Sequence, residues 1–267
     1  MFKELKNEAI ITYKIKTESP LYLKSSEENA LNPSATDGTF MTTYKNGVLE
    51  PFIPGTSLKG VFRSRAERIL RTNGACDIVG KDECVKENDA KREKLSGEER
   101  YKRSCPVCRL FGSKVLRSRV SFGDAYVIGK YNVGQRTCVG IDRLTGAAKR
   151  GALYDMQYIE DATFEGKINL QNFEPYQIKL LMELFQEMNE GFITLGGLTS
   201  KGFGFVSAFD FKLKLKYYNI KEEMPGYEKK LYYQVKDIEG IDNIIELVKD
   251  VDMEKVKKDG AINEQAI

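Results

Sequence analysis

Histidine is absent from this 267-residue sequence, and its absence excludes several classes of active site. Ser-His-Asp and Cys-His catalysis, His-ligated zinc and imidazole acid–base chemistry all require that side chain. Any catalysis must therefore use Asp, Glu, Lys, Tyr, a metal-bound water or alignment of the substrate. The sequence also lacks an apolar run of about 20 residues and a signal-peptide core at its start, which predicts a cytoplasmic protein without a membrane partner.

Net charge is small as well, because the formal charge of +3 is too little to indicate an anionic partner by itself. Its distribution is more informative, since residues 101–119 contain six lysines and arginines and no acid. Such a run is usually a solvated face and less often an RNA footprint, and both interpretations stay open. Hydrophobic residues make up 41% of the chain, which is enough for the core of one large domain.

Cysteine is scarce, and four of its five positions fall in one region, at Cys76, Cys84, Cys105 and Cys108. The last two form Cys-Pro-Val-Cys, a spacing typical of a knuckle that wraps a thiolate-bound zinc. We expect a closed, structural four-thiolate site, with free reduced thiols or a redox pair as the alternatives. Because the residues between the pairs are too polar to form a core, zinc would supply the energy that orders them. Cys138 stands alone and is predicted to be a small buried residue.

The order of the predicted elements is β-α-β-β-α-β, the ferredoxin-like plan that RNA-recognition domains also use, so the predicted fold class is α+β. Alternating apolar and polar residues predict the strands, and apolar residues at helical spacing predict the helices. Helix one is expected to begin near Thr56 or Ser57 as its N-cap, and helix two at Glu174-Pro175. The predicted strands cover residues 10–16, 119–127, 163–170 and 203–211.

Three long insertions interrupt this plan within a predicted domain of residues 1–216. They cover residues 25–50, 73–117 and 128–161, and the first of them reads as a polar, turn-rich loop from Ser25 to Gly47. Residues 217–267 form a predicted C-terminal extension with one amphipathic helix around residues 241–251.

Two segments far apart in the sequence share a chemistry suited to phosphate groups. Phe52–Gly60 leads into a basic helix, and Leu195–Gly204 leads into a strand. Both offer turn glycines, free backbone N–H groups, hydroxyls and a lysine, which suit a polyanionic backbone. We expect these turns, with Lys59 and Lys201, to line one groove for a nucleic acid. An enzyme with a phosphate-bearing small ligand is the alternative, although the glycine spacing matches neither the P-loop nor the dinucleotide fingerprint.

With these elements placed, the chain resembles the repeat-associated mysterious protein (RAMP) superfamily of CRISPR systems. More narrowly, it looks like the repeating backbone subunit of type III effector complexes. Four blocks carry the resemblance: Ile53–Arg63, Arg119–Ala125, Gly140–Gly146 and Leu195–Val206. The cysteine-rich insertion at residues 73–117 is similar to zinc modules in some members of that subunit family.

The resemblance implies a subunit that polymerises along a CRISPR guide RNA with other copies of itself and other effector subunits. Residues 128–161 would form a thumb hairpin that wedges between bases of the guide–target duplex and leaves the target backbone bent. The RNA-binding residues that it implies are Ser57, Lys59, Arg63, Arg136, Arg143, Gly196, Gly197, Ser200 and Lys201.

Catalytic members of the family cleave complementary target RNA at that bend, with an aspartate in the loop between strand one and helix one. Asp37 is the residue of this chain that matches, so the resemblance implies a metal-dependent endoribonuclease that uses Mg²⁺. The aspartate would orient the 2′-hydroxyl, accept its proton or hold the metal, while Arg143 or Arg136 stabilises developing charge. Asp37-Gly38 as an ordinary turn in a non-catalytic, architectural subunit is the alternative. A guide-processing ribonuclease acting alone is disfavoured, because relatives of that type often use histidine.

Overall fold

The computed structural model describes residues 4–25, 38–77, 83–218, 221–252 and 256. They form a mixed α/β fold built on one nine-stranded sheet, with a separate two-stranded sheet beside it. The pairings between named strands are antiparallel throughout these described residues. None of their helices has both the length and the apolar content that a membrane crossing requires.

Strands outnumber helices in this fold. The strands are β1 Asn7–Thr17, β2 Thr42–Lys45, β3 Val48–Ile53, β4 Val120–Phe122, β5 Ala125–Ile128, β6 Asn132–Ile141, β7 Ala148–Glu160, β8 Thr163–Gln171, β9 Val206–Tyr217, β10 Glu228–Lys229 and β11 Gln234–Glu239. The helices are α1 Gly55–Ile69, α2 Glu87–Arg92, α3 Gly97–Lys102, α4 Pro106–Phe111, α5 Pro175–Asn189 and α6 Ile241–Leu247, with a 3₁₀ turn at Thr199–Lys201.

The large sheet has the order β10-β11-β9-β1-β8-β5-β3-β2, and β4 pairs with β8 as well. Strand β1 lies near its centre and buries every second side chain, as alternation in the sequence predicts. Helices α1 and α5 cover that buried face, where the Phe185 ring lies 4.8 Å from the Tyr13 ring and 4.9 Å from the Phe62 ring. Aromatic packing of this kind fixes the position of α1, which leads out of the first glycine turn.

Two details differ from the sequence prediction at the start of α1. The N-cap is Pro54 and the helix begins at Gly55, so neither Thr56 nor Ser57 caps it. Residues 42–47, predicted as the end of a loop, belong instead to the β2–β3 hairpin of residues 42–53. Its turn residues Asn46 and Gly47 both have positive φ, at 51° and 80°, and Asn-Gly is a strong signal for such a two-residue turn.

The cysteine insertion forms a small apolar core although its composition is polar. Short helices α2, α3 and α4 fold around it, and Val85, Ala90 and Leu95 form a small apolar cluster of their own. The prediction that no core forms between the cysteine pairs is therefore wrong for this small cluster. Apolar side chains spaced five residues apart are easily overlooked in so charged a stretch.

The basic run at residues 101–119 is neither one solvated face nor one continuous basic surface. Arg109 and Arg119 are buried at 1% and 6% exposure. The guanidinium of Arg119 lies 3.7 Å from the centre of the Tyr101 ring, and Tyr101 donates its hydroxyl hydrogen bond to the buried Glu174. This network docks the insertion against the start of α5, because the desolvated charges compensate one another.

Candidate metal centre and nucleic-acid interface

The four cysteines that the sequence singled out come together in one cluster. Their sulfur atoms lie within 4.8 Å of one another, with 3.4 Å between Cys76 and Cys108 and 3.8 Å between Cys76 and Cys105. Four sulfurs about 2.3 Å from a central zinc would be about 3.8 Å apart in a tetrahedron, so this donor set fits the ion. An all-thiolate set leaves no open coordination position, so a metal held here would have a structural role.

Backbone geometry of the knuckle explains why these cysteines converge. Cys105 is the N-cap of α4, and its sulfur accepts the backbone N–H of Cys108 at 3.5 Å. The sulfur of Cys84 accepts the N–H of Cys105 at 3.1 Å, which ties the distant pair to the knuckle. Hydrogen bonds from the Cys108 thiol, then from those of Cys76 and Cys84, lower the pKa of Cys105 and favour the thiolate that a metal requires.

Three predicted RNA-binding residues, Ser57, Lys59 and Arg63, lie on α1, and the side chains of Lys59 and Arg63 have internal partners. Arg63 pairs with Glu67 at 2.8 Å and donates to the carbonyl of Gly112 at 3.0 Å. The third guanidinium nitrogen of Arg63 lies 3.7 Å from the Cys108 sulfur, so this arginine connects α1 to the cysteine cluster.

Lys59 Nζ donates to Ser118 Oγ at 3.1 Å and has no carboxylate partner within the part of the chain that the structure describes. Burial and the neighbouring Arg63 lower the pKa of Lys59, which an anion nearby would raise again. Ser57, two residues before Lys59, is half-buried, and its N–H bonds to the Pro54 carbonyl.

The second glycine turn is exposed to solvent at the residues that were predicted to bind RNA. Gly196, Gly197, Ser200 and Lys201 are all solvent-exposed, and Gly196 has a φ of +80° that favours glycine. The Gly197 N–H is bonded to the Tyr22 carbonyl at 2.9 Å, so this N–H is not free for a phosphate.

Tyr22 also marks where the first insertion meets the predicted thumb. Gly38 packs directly beneath the Tyr22 hydroxyl, and its N–H donates to the Asp155 carbonyl of β7 at 3.1 Å. The Gln157 N–H returns a bond to the Gly38 carbonyl at 2.9 Å. Asp37, the predicted catalytic residue, lies outside the described residues. Its sequence neighbour Gly38 is held between Tyr22 and the base of β7.

Within residues 128–161, β6 and β7 form an antiparallel hairpin, which is the shape of the predicted thumb. Arg136 lies near its base, exposed, with its guanidinium 4.8 Å from the centre of the Phe203 ring. Arg143 is exposed in the tip, beside Leu144, which is 98% exposed. Cys138 is half-buried on β6, so the prediction of a buried residue is wrong.

Lys59 and Lys201 do not share one pocket. Ser118, the partner of Lys59, leads into β4, whose first residue pairs with Leu170 near one end of the central strands. The glycine turn instead contacts Pro20 and Tyr22, beyond the last residue of β1 at the other end. A rise of about 3.4 Å per residue separates these contacts by on the order of 25 Å. A small ligand would therefore not contact both lysines at once.

Sequence reasoning missed the aromatic residues that join these elements. Tyr154 and Tyr158 both lie on β7, whereas Tyr22 and Phe203 lie in segments far from β7 in the sequence. The available signal was the Gly-Phe-Gly at residues 202–204, where an apolar ring between two glycines indicates close backbone packing.

Comparison with known proteins agrees with the fold and extends over most of the chain. A family model described as the RAMP superfamily matches residues 14–207. No curated protein matches the sequence.

Proposed function

We propose that this chain, which belongs to the RAMP superfamily, is the guide-RNA-binding backbone subunit of a type III CRISPR effector complex and that it cleaves complementary target RNA. One observation carries the proposal. Tyr22 contacts both the glycine turn, through Gly197, and the end of the first insertion, through Gly38, which is bonded to the base of the hairpin. The glycine turn, the hairpin and the first insertion, which would hold the guide, the target and the cleavage residue, thus meet around Tyr22.

The strand order supports a ferredoxin-like core beneath these insertions. Strands β1, β5, β8 and β9, with α1 and α5 between them, follow one another as β-α-β-β-α-β. Their order across the sheet is β9-β1-β8-β5, in which the fourth strand of the plan lies beside the first. The insertions then occupy loops between core elements, where added segments do not interrupt the sheet.

A single RNA strand lying along the sheet accounts for the separation of the two lysines. At about 3.4 Å per stacked nucleotide, a span on the order of 25 Å corresponds to roughly seven nucleotides. Lys59 would hold a phosphate at one end, and Lys201 with the exposed Gly196 and Ser200 would hold another. Contacts of this kind bind the backbone and leave the guide sequence free to vary.

Cleavage would take place where Gly38 meets the hairpin. RNA carries its own nucleophile, so the chain has mainly to align the 2′-hydroxyl with the leaving oxygen. Asp37 would orient that hydroxyl or take its proton, and the exposed guanidinium of Arg136 would stabilise the oxyanion. Mg²⁺, when bound, would offset part of the developing negative charge. The exposed apolar tip, with Ile141 and Leu144, suits insertion between bases.

The decisive experiment compares Asp37→Ala with Asp242→Ala, a control on α6 that is remote from the hairpin in the sheet order. Each variant is assembled with guide RNA and its partner subunits and mixed with labelled target RNA and Mg²⁺. We expect Asp37→Ala to abolish cleavage while guide and target binding persist, and Asp242→Ala to cleave normally. If the unaltered complex binds its target without cutting it, the chain is an architectural subunit instead. If Asp37→Ala still cuts at the normal rate, the catalytic assignment is wrong.

A further inference from the structure

Arg63 on α1 contacts the cysteine-bearing helix α4 at two points. Its Nη2 lies 3.7 Å from the Cys108 sulfur, and its Nη1 donates to the Gly112 carbonyl at 3.0 Å. Gly112 is the C-cap of α4, and its own N–H bonds to the Cys108 carbonyl at 2.9 Å. One side chain of α1 therefore contacts a predicted metal ligand and the residue that ends the same helix.

Glu67 fixes the direction of this guanidinium. Its carboxylate, one turn further along α1, accepts the hydrogen bond from Arg63 Nε at 2.8 Å. Both side chains are 19% exposed, so the pair is largely withdrawn from solvent. Each of the three guanidinium nitrogens thus has a partner inside the chain, and a phosphate would have to compete with those partners.

The cysteine cluster favours a nearby cation when it holds a metal. Zn²⁺ bound by four thiolates retains two uncompensated negative charges. Cys105 and Cys108 are 0% and 1% exposed, so water solvates that charge poorly. A guanidinium hydrogen bond to a thiolate is charge-assisted and stabilises the negative sulfur directly.

A second arginine, just beyond the end of α1, supports another part of the cluster. Arg71 Nη1 donates to the Ala75 carbonyl at 3.2 Å, and Ala75 immediately precedes Cys76. The Ala75 N–H also donates to the Leu70 carbonyl at 3.0 Å. Helix α1 and the residues that follow it thus hold the backbone next to Cys76 as well as the sulfur of Cys108.

We propose that Arg63 is a positioning residue of the metal centre, which stabilises the Cys108 thiolate, and that it does not contact the RNA backbone. The resemblance to RAMP proteins implied an RNA-binding role for Arg63, but the internal bonds of its guanidinium favour the metal. This role depends on the zinc assignment and is independent of whether the chain binds or cleaves RNA. Lys59, one turn earlier on α1, keeps its proposed phosphate contact.

Zinc affinity tests this role. Arg63→Met removes the charge and retains an apolar stem. Competition with a chromophoric chelator should show zinc binding about 10- to 100-fold weaker, the usual effect of losing a hydrogen bond to a metal ligand. Arg65→Met is the matched control, because Arg65 lies on the same helix but pairs with Glu187 at 2.6 Å and lies over the Phe192 ring. It should bind zinc as the unaltered chain does.

Cobalt reports the hydrogen bond itself, because Co²⁺ bound by thiolates absorbs light through transfer of charge from sulfur to metal. A hydrogen bond lowers the energy of the sulfur electrons, so its loss in Arg63→Met should move this absorption to longer wavelength. A merely structural role would not move it.

Arg63→Lys is the second variant and serves if Arg63→Met does not fold. It keeps the charge, but an ammonium cannot bond to Glu67, Gly112 and Cys108 in the geometry of the planar guanidinium. We expect it to bind zinc more weakly than the unaltered chain and, where both variants fold, more tightly than Arg63→Met.

The salt dependence of RNA binding separates the two roles of Arg63. An arginine bound to a phosphate contributes about 0.7 to the slope of log affinity against log salt for a single strand. We expect zinc-loaded Arg63→Met to bind oligouridylate with the slope of the unaltered chain.

The outcomes distinguish this role from the proposed function. Weaker zinc binding, a shifted cobalt absorption and an unchanged salt slope support it. Zinc affinity equal to that of Arg65→Met overturns it, as does an unshifted absorption or an Arg63→Lys variant that binds zinc as tightly as the unaltered chain. A slope lowered by about 0.7 assigns Arg63 to RNA and also overturns it. An unaltered chain that binds zinc but no RNA contradicts the proposed function alone, and one that binds no zinc contradicts the role of Arg63.

Discussion

The hydroxyl of Tyr22 occupies the space that a β-carbon would take at Gly38. Position 38 is therefore restricted to glycine by a neighbouring side chain, since its own backbone is not in the left-handed region. Because Gly38 is also bonded to both Asp155 and Gln157, this contact sets how the first insertion joins the hairpin.

Substituting Gly38→Ala should force the Tyr22 ring out of its position. We expect a loss of about 1 kcal/mol in unfolding free energy, the usual cost of a side chain pushed off its rotamer. The double variant Gly38→Ala/Tyr22→Ala should be no less stable than Tyr22→Ala alone, because the overlap has been removed. Urea denaturation of the four proteins measures this, and additive losses would contradict the explanation.

Two glycines of α1 should respond in opposite directions to the same substitution. An added methyl group at Gly55 would lie 2.9 Å from the Gly123 carbonyl oxygen and closer still to that of Phe122. Backbone cannot yield easily, so Gly55→Ala should cost about 1–3 kcal/mol. Gly60 has open space around its α-carbon, and Gly60→Ala should add up to about 1 kcal/mol through helix propensity. Thermal melting of both variants tests the pair, and destabilisation by Gly60→Ala would show that α1 packs differently.

Metal content should depend on the clustered cysteines and not on the remaining one. Protein purified without chelator should contain about one zinc per chain, and Cys105→Ser should lose it together with several degrees of melting temperature. Cys138→Ser is the matched control and should retain the metal, because Cys138 lies on the hairpin outside the cluster. Elemental analysis gives the ratio. A metal-free unaltered chain would overturn the zinc assignment.

The buried pair of Glu174 and Arg119 should be strongly coupled. Their side chains are 3% and 4% exposed and 3.6 Å apart. Glu174→Ala should cost about 3–5 kcal/mol, because it leaves an arginine buried without its partner charge. Adding Arg119→Met should recover part of that loss, and a double-mutant cycle by denaturation measures the coupling. A coupling near zero would indicate that the other hydrogen bonds alone hold the insertion.

Shortening the hairpin should change where RNA is cut and leave guide binding intact. Replacing residues 141–151 with a two-residue turn removes the exposed tip, including Leu144, while the base with Arg136 remains. We expect guide RNA to stay bound, because the phosphate contacts proposed for Lys59 and Lys201 lie outside the tip, while the loss of Arg143 should lower the affinity. The spacing or sharpness of the target-cleavage products should change on a sequencing gel. An identical product ladder would argue against a wedge at this tip.

Local patterns predicted several core strands and helices of this fold, and contacts between distant residues were the hard part. Alternation located β1 and β8, and the Cys-Pro-Val-Cys spacing located a cluster that the structure brings together. Burial of Arg109 could not be read from its sequence, because it depends on the Tyr101 and Lys102 carbonyls that accept its hydrogen bonds. Charge in a sequence indicates exposure only on average.

The relation between the two glycine turns shows the same limit. Their shared composition indicated a common kind of ligand. Composition carries no information on distance, so the separation of Lys59 from Lys201 required the register of β4 and β8. Tyr22 was missed for the same reason, since its two glycine partners are far away in the sequence.

The length of strand β1, 11 residues, would affect the spacing at which a subunit of this kind contacts RNA. In the proposed binding mode, Lys59 on α1 and Lys201 in the glycine turn contact phosphates beyond opposite ends of the hydrogen-bonded central strands, so these strands would set the interval between the two phosphates. Lengthening the hairpin would leave that interval unaltered. A change in the length of the central strands would alter it.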